Sequence, residues 1–558
     1  MKIAGVPFSF RPRLIDALRG YTRARLVADV RAGLTVGVVA LPLAIGLGIA
    51  SGVSPGAGLY TAIIGGFIVS ALGGSRVQIG GPAGAFVGLV YAVITQYGLP
   101  NLLICTAMAG VFLFALGAAR LGTLVKFIPH PVTTGFTCGI GVTIMLTQVK
   151  DFLGLRLAAV PAEFFAKIDA LAHALPTLRW LTVGVGLATV VAIAVWPKRW
   201  ARYLPGYNVA VVAVSLVVYL FRLPVDTIAS RFPTGAFPDG LPKFQVPAFD
   251  WVQLPELMGP ALAITVLGAI AALLSAVVAD GMIDDRHDSN QELMAQGIAN
   301  FVAPFFGGIP VTGVITRTVT NIRNGAGSPI AGMVHALTLL LIVLLAAPLA
   351  KFIPLAVLGG VLIVVACKMV EWDEFVLIGR QPWGDAAVFL VTFALTTCFD
   401  LTVAVKYGLI LAAALFIKRV ADTTQVAAHD EAALAGQGHE RVGVVPPGVI
   451  VYRVFGALLF GAADKLDTVI RRAGGDTRVI ILHLAAVTAM DSTALHSLDL
   501  LHEKLRRHGR HLILSGPHTQ PYFAMDKAGF LDAVGADNIV ADLPTAITRA
   551  QVLLGRME

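Results

Sequence analysis

Between two apolar runs, residues 73–86 read GGSRVQIGGPAGAF, a stretch that no continuous membrane-spanning helix can contain. Val77 and Ile79 alternate with Arg76 and Gln78, which is an extended pattern, and Gly80-Gly81-Pro82 then sets a proline at the first turn of a new apolar helix. A strand-like piece therefore runs into a helix N-terminus. Irregular backbone at membrane depth is tolerated only where it is buried in protein or lines a cavity. The unpaired N–H groups of Ala83, Gly84 and Ala85, just before Phe86, concentrate about half a positive charge there, and such an end accepts an anion.

Membrane depth itself follows from composition. Of 558 residues 56% are hydrophobic and 14% charged, a balance that suits a polytopic membrane protein and excludes a soluble globular domain. The formal charge of +8 sits where Lys and Arg collect between apolar runs, so the positive-inside rule accounts for it and nucleic acid is not an expected partner. Cys105, Cys138, Cys367 and Cys398 lie far apart with no CxxC spacing and read as small core residues, so neither a metal nor another cofactor is implied. Residues 1–31 are polar and basic and carry no signal-peptide pattern, which sets the N-terminus in the cytoplasm.

Taken in order, apolar spans are expected at Gly33–Gly52, bent at Pro42, then near 55–72, 82–96, 99–119, 130–154, 176–197 and 203–221. Residues 222–255 form a proline-rich loop, too broken for a helix and expected outside. A span from Leu257 to Asp280 leads to a helix that Asn290 would cap and Gly307-Gly308 would end. Residues 309–321, IPVTGVITRTVTN, then repeat the grammar of the first break, and spans near 327–349, 352–370, 384–401 and 403–420 follow. Gly81 stands 48 residues after Gly33, and Gly313 stands 52 after Ala261, so the transport domain, 32–421, divides into repeats of about 32–222 and 256–421. Seven segments per repeat is an odd number, so the second repeat enters the membrane inverted. Helix ends at Gly81–Ala85 and at Gly313, Val314, Ile315 and Thr316 then face each other near the midplane and select negative charge. The plainer alternative is that these Gly and Pro residues serve only close helix packing.

Arg317 lies about one turn into the second half-helix, where a charge costs roughly 2.5–3.5 kcal/mol on insertion scales. It must either contribute to an anion pathway or pair with carbonyls or an acidic side chain. After Arg419 the chain turns polar over 422–447, which reads as a linker. From 448 to 558 strand and helix patterns alternate: VIVYRVFG, then a helical stretch over 461–475, RVIILHLAAV, a helix from Ser492, RHLILSG and two more helical stretches.

The stretch ALPLAIGLGIASGVSPGAGLYTAIIGGFIVSALGGSRVQIGGPAGAF, with the later VVADGMIDDRHDSNQELMAQGIANFVAPFFGGIPVTGVITRT, resembles the sulfate permease family, whose eukaryotic relatives are the solute carrier family 26 anion exchangers. The resemblance covers nearly the whole chain. It implies an all-α polytopic membrane domain of fourteen segments, in 7+7 inverted repeats with two broken half-helices, arranged as core and gate domains that work by an elevator-like movement, usually in a homodimer. Residues 487–495, VTAMDSTAL, resemble the loop-to-helix signature of the STAS domain, a cytoplasmic α/β module, with Asp491 as the cap of the helix at Ser492. In the antagonist branch of that family a hydroxyl residue of this loop is phosphorylated, and Thr493, beside Ser492, occupies the place here. An ordinary helix cap, or a docking point for a cytoplasmic protein, is the plainer reading.

Departures from the family pattern matter equally. Ala271 stands where many members carry a carboxylate, Leu43 where many carry Gln, and Ala83 where some carry Thr, leaving Ser275 and Thr316 as polar candidates. Without that carboxylate a sodium- or proton-binding group is missing, so transport by exchange or uncoupled uniport is expected. Eight of the twelve histidines follow residue 421 in no metal-binding spacing and read as solvated surface. The chain thus reads as a secondary transporter of small anions in the inner membrane. Sulfate comes first by family name, with bicarbonate, chloride or a dicarboxylate as alternatives. An anion channel and a STAS-based signalling protein are the rivals, and no nucleophile, metal set or phosphate-cradling loop suggests an enzyme.

Overall fold

The computed structural model describes all residues except 1, 4–5, 8–9, 124–128, 158–159, 162, 198, 200–205, 233–239, 248–253, 400, 424, 429–444, 460–475 and 556–558. The chain divides into two compact units, Met1–Leu409 and Ile410–Glu558.

The first unit is helical, and its most extensive helix pairings each join one half of the chain to the other. Arg23–Ala50 packs on Ile330–Ala350, Val87–Ala118 on Ser289–Val302 and Leu254–Ile283, and His130–Leu153 on Leu355–Met369 and Trp383–Cys398. Neither half therefore buries its apolar surface alone. Among the described residues six helices are long and apolar enough to cross a membrane, or seven if the bent pair Phe164–Thr177 and Trp180–Val195 forms one span. Gly206–Leu220, Ile330–Leu345 and Trp383–Cys398 are apolar but shorter. The expected fourteen segments are thus not all long helices, partly because spans are interrupted: Gly98, at φ 81°, breaks the helix Val87–Ala118, close to the expected boundary near Gln96.

Several local expectations are corrected. The first helix starts at Arg23 instead of Gly33, because the Thr22 hydroxyl accepts the Arg25 N–H and caps the basic segment. Asn290 is not the cap of its helix: the Asp288 carboxylate accepts the N–H groups of Asn290 and Gln291 at 3.0 and 3.1 Å, while Asn290 Oδ1 accepts the Gly122 N–H. The loop after Phe221 does hold one helical turn, Ile228–Arg231, closed by a reciprocal cap between Thr227 and Ser230. An amphipathic helix at Phe164–Ala174 and a short one at Trp372–Leu377 have no counterpart in the sequence reading.

Two buried carboxylates tie loops of one half to the other. Glu292 accepts the N–H groups of Gly74 and Ser75 at 2.9 and 3.2 Å and the Gln296 amide at 2.9 Å. Asp29, 1% exposed, accepts the N–H groups of Gly327 and Ser328, the Ser328 hydroxyl and, at 2.6 Å, the Tyr21 hydroxyl. Burial, and then the bond to Asp29, push the Tyr21 phenol up to about 12, so it remains a donor throughout the neutral range. Asp29→Ala strands four donors and is expected to destabilise by about 3–5 kcal/mol, against about 1 kcal/mol for Tyr21→Phe. Thermal melts of the detergent-solubilised protein check the ranking.

The second unit is a five-stranded sheet flanked by helices. Its order is Gln425–Ala428, Val449–Leu458, Val479–Met490, His511–Ser515 and Ile539–Val540, antiparallel at the first pair and parallel thereafter. Alternate residues face opposite layers, as strand geometry requires. Ile480, Leu482 and Leu484 meet Leu498, Leu501 and Leu505 of the helix Ser492–Arg507, while Val479 and Ile481 meet Ala546, Ile547 and Ala550 of Leu543–Gly555. Part of the segment expected as linker is thus a strand, Gln425–Ala428, because an edge of Val449–Leu458 offers it partners. The histidines are not uniformly solvated either: His483 lies buried inside a strand, its ring nitrogen 3.1 Å from Ser515 Oγ, and His502 packs edge-on against Phe530. The expected helix over 461–475 lies outside the described residues.

Candidate functional site between two broken helices

The two breaks meet as a miniature sheet. Gly80–Gly81 pairs antiparallel with Thr312–Gly313, Gly80 opposite Gly313 and Gly81 opposite Thr312, and the Val314 N–H donates to the Ile79 carbonyl at 2.9 Å. Each strand leads directly into a helical turn, Gly84–Phe86 and then Val87 onward on one side, Ile315–Arg323 on the other.

Strands this short cannot hold themselves, and buried polar side chains hold them. Asn300 accepts the Val311 N–H and donates to the Val311 carbonyl, completing a two-bond pair with the chain entering the second strand. Thr61 accepts the Ile309 N–H at 2.8 Å, its single hydroxyl proton facing the Ala57 carbonyl at 2.7 Å and the Ile309 carbonyl at 3.2 Å. On the far side Thr318 accepts the Ile79 N–H, Asn321 donates to the Val77 carbonyl, Gln78 donates to Ala272 and Thr312 to Gly268. The backbone groups of Val77, Ile79, Ile309 and Val311 so paired are deep in the protein, where leaving one unpaired costs roughly 1–3 kcal/mol.

Both helix starts lack side-chain caps. Their leading N–H groups have no intrahelical acceptor and point outward from the helix ends. They border a cavity of about 260 Å³, whose walls include Leu43, Ala83, Gly84, Ala85, Gly313, Val314, Ile315, Thr316 and Arg317. Ala271 also borders it, so no carboxylate stands at that point of the wall. Three candidates lie elsewhere. Gly81 is consumed in strand pairing, Phe86 packs in the core beside Gly268, and Ser275 donates to Thr318 at 3.3 Å. Their roles are positional.

Arg317 is the decisive residue. It is 1% exposed, it borders the cavity, and none of Nε, Nη1 or Nη2 finds a hydrogen-bond partner among the described residues. The alternative of a structural pair with carbonyls or an acid is therefore not realised among them. Gly81 leaves room for the guanidinium: a Cβ there would collide with Nη1. A residue carrying one full positive charge and two uncapped helix starts thus border one cavity.

Lys368 and Glu371 also border the cavity and were not anticipated. Lys368 Nζ donates to the Tyr207 hydroxyl at 2.8 Å and lies over that ring, 5.1 Å from its centre. The signal available in sequence was a Lys followed three residues later by a Glu at the end of an apolar run. Glu371 shares a mostly exposed group with His130 and Glu374, whose potential ligand atoms lie within 4.8 Å of one another.

Comparison with known proteins decides the family. Residues 26–392 match the sulfate permease family model, and residues 442–546 the STAS domain model. The chain belongs to the sulfate permease family. It is accordingly a multi-pass membrane transporter of anions and not an enzyme. YvdB of Bacillus subtilis is 39% identical over 529 residues, covering 94% of this chain and 97% of that protein. The bicarbonate transporter BicA of Synechocystis is 31% identical, covering 96% of each chain. The transmembrane domain of a cyanobacterial BicA superposes with a TM-score of 0.62 at 32% identity, covering 70% of this chain and 98% of that one. The murine solute carrier 26 member A9 anion transporter superposes with a TM-score of 0.86 over 97% of this chain and 94% of that one, and at 18% identity this shows a shared fold.

In this member of the family the STAS loop is ordinary in its geometry. Asp491 accepts the Ala494 N–H at 2.9 Å and caps Ser492–Arg507, as its sequence position predicts. Ser492 and Thr493 are both exposed on the first turn.

Proposed function

We propose that this sulfate permease carries small inorganic anions of the sulfate or bicarbonate class by alternating access, with the anion held between the two half-helix starts and the guanidinium of Arg317. The carrying observation is the buried guanidinium without a partner among the described residues, beside uncapped helix starts. A buried unpaired charge costs several kcal/mol, and an anion in the cavity offsets that cost. The family name and the likeness to BicA support the same class.

Ala271 supports a further point, that neither sodium nor a proton on that residue drives uptake. Proteoliposomes offered sulfate, bicarbonate, chloride, nitrate and fumarate are expected to exchange at least one of the first two, at a rate insensitive to an imposed sodium gradient. Uptake accelerated by inward sodium would reject the uncoupled mechanism, and no flux of any of the five would reject the substrate class.

The topology that fits this reading has two inverted halves, both termini in the cytoplasm and an inner-membrane location. Basic residues at Arg120, Arg199 and Lys418-Arg419 support that orientation. A homodimer and a cytoplasmic partner for the STAS domain belong to the same proposal. Intact mass of the natively expressed protein tests regulation at Ser492 or Thr493: the expected result is no phosphate, in keeping with a structural cap.

A further inference from the structure

A second cavity backs onto the first. It measures about 80 Å³, enough for several waters, and it shares Gly84, Ala85, Ile140 and Ile144 with the cavity around Arg317. The two border overlapping stretches of one wall, the helix His130–Leu153. Phe136 and Thr137 border the first and Thr143 and Thr147 the second, a separation of up to roughly 16 Å at 1.5 Å per residue. In the proposed topology the first opens toward the cytoplasm and the second toward the outside.

The second cavity contains a charge that the proposed transport site does not use. Lys167 lies on the amphipathic helix Phe164–Ala174, is only 5% exposed, and is the sole charged residue among those bordering the cavity. No hydrogen bond or ion pair joins its ammonium to any described residue. Thr143, Thr147, Thr396 and Thr397 border the same cavity, and each hydroxyl donates to a carbonyl of its own helix at 2.7–3.0 Å. A hydroxyl hydrogen rotates freely, so each can turn toward an anion at the cost of one local bond. A lone lysine on a solvated surface carries no message. A lysine whose stem is buried and which borders a cavity of apolar walls and hydroxyls does, because its charge has no partner among the described residues.

We propose that this second cavity is an outer entry site for small anions, in which Lys167 supplies the charge that draws them toward Gly84 and Ala85. The inference rests on the anion-carrier reading above and adds a second binding station on the opposite side of the broken helix. The helix from Val87, which packs on Ser289–Val302 and Leu254–Ile283, borders it on one side, and His130–Leu153 with Trp383–Cys398 on the other, so movement of one helix group against the other would open or close it.

The test uses sided sulfate exchange in oriented proteoliposomes, with the opposite side saturated. Lys167→Gln is expected to raise the half-saturating external sulfate about tenfold, the scale of one unit charge acting over several ångströms at intermediate dielectric. The internal value should stay within about twofold, and Lys167→Arg should restore the external one. An equal change on both sides, or none, overturns the proposal in favour of a packing role. A second measurement does not depend on transport. With the four native cysteines replaced by alanine, Thr147→Cys is alkylated by anionic iodoacetate and by neutral iodoacetamide. A preference for iodoacetate that disappears in Lys167→Gln supports the entry site, and a preference independent of Lys167 overturns it. If the unsubstituted protein carries neither sulfate nor any of the other four anions, the carrier reading fails while the alkylation result still decides whether the cavity attracts anions.

Discussion

Arg317→Gln is expected to lower kcat/KM for the transported anion by about 100-fold or more, without unfolding the protein. The guanidinium contributes one full charge inside a cavity walled mainly by aliphatic side chains and backbone, and about 3 kcal/mol is a moderate value for such a contact. Stability should move the other way. Because no described residue pairs with the guanidinium, neutralising it removes a desolvation cost, so the melting temperature in the absence of substrate is expected to hold or rise. Arg317→Lys keeps the charge and loses the planar fork, and an intermediate loss of about tenfold is expected. Flux in proteoliposomes and melts of the same preparations give both readouts. A variant that loses flux and stability together would make Arg317 a structural residue.

Gly313→Ala is expected to disable the crossing itself. A Cβ at this position would collide with the Gln78 amide nitrogen, which donates to the Ala272 carbonyl at 3.1 Å. Displacing Gln78 breaks that bond, leaving its buried amide without an acceptor, and pushes apart two strands only two residues long. Overpacking costs about 1–3 kcal/mol and the lost hydrogen bond about 1 kcal/mol more, so a fall of several degrees in melting temperature and near-complete loss of flux are expected. The double variant Gly313→Ala with Gln78→Ala separates the causes. Removing the obstructing amide should recover stability in part, whereas an unimproved double variant would place the strain in the backbone pairing instead.

Both substitutions act at positions that were conspicuous before any coordinates. The two breaks stood out because Gly, Pro and alternating β-branched residues interrupt apolar runs, and a local pattern of that kind is legible wherever it occurs. Arg317 stood out because charge is rare in such surroundings. The contribution of Asn300 and Thr61 did not stand out. An Asn within a helix and a Thr within an apolar run are common, and only the distant partners at Val311 and Ile309 give them meaning. The error at Asn290 has the same origin, since Asp288 and Asn290 are equally good caps by composition, and Gly122 from another part of the chain claims the asparagine. Lys167 was passed over because its helix interrupts a stretch between two apolar spans, and its burial depends on helices from both halves.

By itself the sequence determined that this is a polytopic membrane protein with two interrupted spans and a C-terminal αβ unit, since hydrophobicity and residue periodicity are properties of neighbours along the chain. It also led to the expectation of a negatively charged occupant at the breaks. The tertiary structure decided that the breaks pair as antiparallel strands, that Gly81, Phe86 and Ser275 support the cavity without bordering it, and that Lys167 and Arg317 occupy separate chambers either side of Gly84 and Ala85. Those outcomes depend on which residues, hundreds of positions apart, are brought within hydrogen-bonding distance, and no window of sequence contains that information.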